Sequence, residues 1–139
     1  MSLAAAAWLF FVGVIVQVFL AGAGLFELAD WTAHRDLGWG LGSAPILILA
    51  MAVPARLERR TIWLIVGLTV VAIVQPELAA ARKVAPVVAA LHPVNALALF
   101  WLAWMVARRA TDEARRIEPG RPRTPAAPAS AMSPAEPSA

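Results

Sequence analysis

Ala89-Ala90-Leu91-His92-Pro93-Val94-Asn95-Ala96 opens the last long apolar run of the 139-residue chain. It sets an imidazole, a proline and a carboxamide inside a stretch that otherwise reads as lipid-soluble. The run continues to Ala107, and apolar runs of about 18 residues or more read as membrane-crossing helices. Polar groups at that depth are costly and are held by partners or used by function. The other histidine, His34, stands near the start of the second apolar run. Two histidines, each at the start of a helix running in the same direction, are the main chemical clue.

Composition agrees. The chain is 60% hydrophobic and 15% charged, with a mean hydropathy of +0.70, outside the balance of soluble domains. It has no cysteine, so disulfides, iron–sulfur clusters and thiolate zinc sites are excluded. The net charge of +3 comes from basic residues at span ends and in the tail, where they orient a protein in a bilayer rather than bind nucleic acid.

The apolar blocks predict an all-α, integral-membrane, up-down-up-down four-helix bundle over residues 1–110, with spans near 3–29, 33–55, 61–81 and 85–107. Gln17 is the only strongly polar interruption of the first span and reads as an interhelical hydrogen-bonding group. No basic residue precedes that span, so it reads as an uncleaved helix rather than a signal peptide. The second span carries Gly38, Gly40, Gly42 and Pro45, and the proline removes a backbone donor. The third ends in Gln75-Pro76-Glu77. Residues 111–139, rich in Pro, Ala, Ser and Arg, read as a disordered tail. No internal sequence repeat is read.

Basic residues give the orientation. Arg56, Arg59 and Arg60 follow the second span, and Arg108, Arg109, Arg115, Arg116, Arg121 and Arg123 follow the fourth. The other two connections hold only Arg35, Arg82 and Lys83. The positive-inside rule therefore places both termini in the cytoplasm, with His34 and His92 near the outer face.

Helices 2 and 4 of such a bundle are diagonal partners, roughly 13 Å apart. That gap is too wide for direct side-chain contact and suits a flat macrocycle ligated from both sides. The expectation is a bis-histidine haem b with His34 and His92 as axial ligands. Asp30, four residues before His34, would orient its ring. Arg35, Arg82 and Lys83 would pair with propionates, and Asn95 lies beside the site. With both axial positions filled, electron transfer or haem handling is expected rather than catalysis, with a redox partner or a second copy of the chain. Three alternatives stand beside this. One is a cofactor-free structural or accessory subunit whose Gln17, Gln75 and Asn95 lock helices together. Another is a small lipid- or small-molecule-binding protein using the glycine-lined groove. The third is zinc held by His34, His92 and Asp30.

Phe19-Leu20-Ala21-Gly22-Ala23-Gly24-Leu25-Phe26, His34 and Leu91-His92-Pro93-Val94-Asn95-Ala96-Leu97 resemble a family of small four-helix bacterial membrane proteins, found in actinobacteria and catalogued as of unknown function. The resemblance covers about residues 5–107 and implies the architecture. The chain is more loosely similar to one half of haem A synthase, in which the second and fourth helices carry a histidine near the outer face, the first commonly followed by arginine. His34-Arg35 and His92 match that pattern. The acidic residue that family places just before the histidine has no counterpart at the same spacing, where Trp31 stands.

Overall fold

The computed structural model describes residues 1–117; the expectations for the rest of the tail lie outside the described residues. The described chain is all-helical. Four long helices, α1 (Leu3–Leu25), α2 (Thr32–Ala52), α3 (Arg59–Ala80) and α5 (Leu91–Ile117), are joined by short connections; a 3-10 turn (Ala81–Lys83) and the one-turn α4 (Pro86–Ala89) precede α5.

Local chemistry sets the ends. Ser2 caps α1, its hydroxyl accepting from the Ala5 N–H at 3.2 Å, which satisfies one of the four orphan donors of a helix start. Past the end of α1, Glu27 turns into the left-handed region at φ 57, and the Leu28 N–H folds back onto the Ala23 carbonyl at 2.9 Å. The expected fourth span is broken near its start. Pro86 sits at the beginning of the short α4 and Pro93 in the first turn of α5, where a missing N–H costs no helical bond.

Three of these segments, Leu3–Leu25, Arg59–Lys83 and Pro86–Arg116, are long and apolar enough to cross a membrane. The second helix, with Arg35, Asp36 and its glycines, is not among them. Leu9, Phe19, Leu47, Val70, Leu97 and Trp101 all point outward, an apolar exterior that suits a lipid solvent.

The helices pack in a ring: α1 against α2 and α5, and α3 against α2 and α5. Neither diagonal pair, α1 with α3 or α2 with α5, brings Cα atoms within 8 Å among the described residues. The core is lined by Ala7, Phe10 and Val14 from α1, Ile48 and Ala52 from α2, Ile65, Leu68 and Ala72 from α3, and Ala103, Val106 and Ala110 from α5. Pro45 is also buried. Its carbonyl accepts from the Thr69 hydroxyl of α3 at 3.3 Å, a hydroxyl that also reaches the Ile65 carbonyl at 2.8 Å. Pro76 has no N–H for the Ala72 carbonyl, and that oxygen lies 3.7 Å from where a side chain on Gly42 of α2 would begin.

The fourth long helix runs ten residues past the expected end at Ala107. Contacts along this extension hold it. Ala107 and Ala110 are buried, Trp8 Nε1 donates to the Thr111 hydroxyl at 2.9 Å, and Arg109 pairs with Glu58 at 3.6 Å. Glu113 caps the start of α3: one carboxylate oxygen accepts from the Glu58 N–H at 3.2 Å and the other from the hydroxyl of the fully buried Thr61. Glu113→Ala should therefore destabilise the protein by about 1–3 kcal/mol, because it leaves a buried hydroxyl and a helix-start N–H unpartnered. Denaturation in detergent, followed by circular dichroism, reads that loss.

Candidate functional site

Trp8 at the start of α1 and Thr61 at the start of α3 both bond to the far end of α5. The opposite end of the ring therefore carries the last turns of α1 and α3 and the first turns of α2 and α5. Both histidines lie there.

At the α1–α2 seam, His34 Nδ1 lies 3.2 Å from the main-chain carbonyl of Gln17, and Gln17 Nε2 donates back to the His34 carbonyl at 2.6 Å. At the α3–α5 seam, His92 Nδ1 lies 2.9 Å from the Gln75 carbonyl, and Gln75 Nε2 donates to the His92 carbonyl at 3.2 Å. These are the same reciprocal clamp made twice. In each, the partner of Nδ1 is a carbonyl, which can only accept. A neutral ring so placed carries its proton on Nδ1 and its lone pair on Nε2. The second clamp agrees with this, since Gln75 Nε2 lies 3.3 Å from His92 Nε2, a donor facing an acceptor.

A shift of 58 residues carries Gln17 onto Gln75 and His34 onto His92. The same shift carries the buried Ala7, Phe10 and Val14 onto Ile65, Leu68 and Ala72, and Pro45, Ile48 and Ala52 onto Ala103, Val106 and Ala110. The two hairpins are thus structural repeats that bury matching positions. The sequence reading missed this. The surviving signal is a glutamine and a histidine separated by the same 17 positions in each half.

The glutamine expected to bond between helices does so. Small residues make room around it: a Cβ on Gly38 would stand 2.8 Å from Gln17 Nε2. Trp31 stands edge-on to the His34 ring, centroids 5.6 Å apart at 88°, over Gly24, where a Cβ would meet the indole at 2.9 Å.

Other expected site residues behave differently. Asp30 does not orient His34; the Gln17 carbonyl occupies that position. The Asp30 carboxylate instead accepts from the Thr32 N–H at 2.7 Å at the start of α2. This bond holds the carboxyl below its ordinary range, helped by Arg35. That hold is in place above the ordinary carboxylate range and is lost as pH falls through the lowered value. Arg35 pairs with Asp36 at 3.1 Å, both exposed. Arg82 and Lys83 lie exposed in the 3-10 turn. Asn95 acts inside the second clamp, its Nδ2 donating to Gln75 Oε1 at 2.6 Å and to the Val71 carbonyl at 3.0 Å. Among the described residues no three of His, Cys, Asp and Glu come together, so the expected zinc set of His34, His92 and Asp30 does not assemble.

Residues 17–81 match a family of unknown function (DUF6220), just under half of the chain. The match begins at Gln17 and takes in His34 and Gln75. No curated protein matches the chain, and no solved structure does, so the expected likeness to half of haem A synthase is not shown.

Proposed function

We propose that the chain is a multi-pass protein of a bacterial plasma membrane, an up-down-up-down bundle with both termini cytoplasmic. In this reading it binds a bis-histidine haem b near the outer face for electron transfer or haem handling. The observation that carries the reading is the matched state of the two rings. Each places Nδ1 on a main-chain carbonyl, the outer contact typical of a metal-ligating histidine. Both rings lie at one end of the ring of helices, on diagonal helices whose backbones stay apart. The donor set fits haem iron, which accepts neutral imidazole on both faces. His34 and His92 would hold the iron, the Gln75 amide moving off His92 Nε2. Arg35, Arg82 and Lys83 would pair with the propionates. When bound, the group would supply one-electron redox chemistry.

The basic residues beside the far end of the ring, Arg56, Arg59, Arg60, Arg108 and Arg109, support the orientation. The three apolar helices support the membrane location.

One observation favours a second reading. Every polar side-chain atom of Gln75 and Asn95 is bonded within the second clamp, save the Asn95 oxygen, for which no bond is seen. In a cofactor-free accessory subunit the clamps would serve only as staples between helices. An absorbance spectrum separates the two. The full chain, purified in detergent and supplied with haem b, should show a Soret band and sharp reduced bands. A colourless protein after that treatment leaves the staple reading.

A further inference from the structure

The two clamps are built alike and completed differently. In the second half, Gln75 Oε1 takes Asn95 Nδ2 at 2.6 Å, and Asn95 is itself anchored on the Val71 carbonyl. The shift of 58 residues puts Leu37 where Asn95 stands, and leucine offers no donor. Gln17 Oε1 is accordingly buried without a hydrogen-bond partner. Rotating the amide by half a turn does not cure this. It would aim the oxygen at the His34 carbonyl across the 2.6 Å now spanned by an N–H donor.

A buried acceptor without a donor raises the free energy of the state that buries it. Opening the first clamp lets Gln17 Oε1 find water or another donor, which offsets part of the bonds lost. Opening the second clamp breaks a set in which no buried polar side-chain atom lacks a partner, and recovers nothing similar. The ring bond follows the same order, 3.2 Å at His34 against 2.9 Å at His92. The Gln17 amide does make the shorter arm, but that arm is its single polar tether, while the Gln75 amide is held at both ends.

We infer that the clamps hold their histidines unequally, with His34 the side chain that lets go and His92 the one that stays. Gln17 and Gln75 are the positioning residues, and the residue one turn beyond each histidine, Leu37 or Asn95, sets how firmly it is held. Under the haem reading, on which this last step rests, His34 would be the side chain that yields the iron to a small ligand.

Two measurements on the full chain test this, one with haem and one without. In the haem-free protein labelled with 15N-histidine, the His34 Nδ1–H should exchange with solvent about tenfold faster than that of His92. Leu37→Asn should erase the difference by slowing His34, and Asn95→Leu should erase it by speeding His92. Equal exchange in the unaltered chain, or faster exchange at His92, overturns the inference. With haem b bound and reduced, Leu37→Asn should slow carbon monoxide binding about tenfold while Asn95→Leu does not slow it. An unchanged rate in Leu37→Asn with its Soret band intact also overturns it. A colourless protein that keeps the exchange difference ends the haem reading and leaves the unequal clamps standing. Should Leu37→Asn fail to fold, Asn95→Leu carries the exchange test alone.

Discussion

His34→Ala and His92→Ala should each turn a low-spin, six-coordinate haem spectrum into a five-coordinate one, and the double substitution should abolish the Soret band. Under the haem reading each ring would supply one nitrogen to the iron, so either substitution would leave it held from a single face. Changes confined to groups behind a metal ligand cost about 10–100-fold in affinity; removing the ligand itself should weaken retention beyond that range. The protein should stay folded, because His34→Ala removes one ring hydrogen bond and His92→Ala two, about 1 kcal/mol each, and both leave the apolar core untouched. Free imidazole added to either single variant should restore the six-coordinate spectrum, which a merely unfolded protein cannot do. Unchanged bands in both single variants would place the iron elsewhere and end the assignment of His34 and His92. Arg82→Ala and Lys83→Ala should leave the spectrum intact, since surface pairs with propionates are worth little.

How much of this arrangement the sequence exposes depends on which force writes each feature. The four long helices are legible because apolar runs bounded by charge and proline are dictated by the solvent each residue meets. The break before Leu91 and the extension to Ile117 are not. The first comes from two prolines seven residues apart, Pro86 and Pro93, and the second from contacts that Thr111 and Glu113 make with the starts of α1 and α3. Asp30 illustrates a competition that spacing cannot settle. A carboxylate four residues before a histidine can reach the ring, yet a free N–H at a helix start lies closer, and Thr32 takes it. The repeat is hidden for a packing reason. Matching positions must fill one core rather than two copies of the same space, so Ala7 faces the demand that Ile65 meets and the residue identities diverge. Hydrogen-bonded pairs have no such freedom, and Gln17–His34 and Gln75–His92 survive as recognisable copies.

That divergence yields the second large effect. Ile65 is fully buried at a position where the other half has Ala7, also buried, on the diagonal helix of the same core. Ile65→Ala should destabilise the protein by about 2–5 kcal/mol, the range for emptying a well-packed site. In a lipid solvent this loss is one of close packing rather than of water exclusion, since the tails outside are as apolar as the core. Ala7→Ile alone should also destabilise, by about 1–3 kcal/mol, through overpacking. If the two positions fill a shared volume from opposite sides, the double variant Ala7→Ile with Ile65→Ala moves the bulk across the axis without changing the total. It should then recover most of the loss, a coupling of a kind that independent sites do not show. Unfolding titrations of the four proteins in one detergent measure it. Strict additivity would mean that Ala7 and Ile65 pack against separate neighbours, and the two halves would then match in backbone and burial without sharing a central layer.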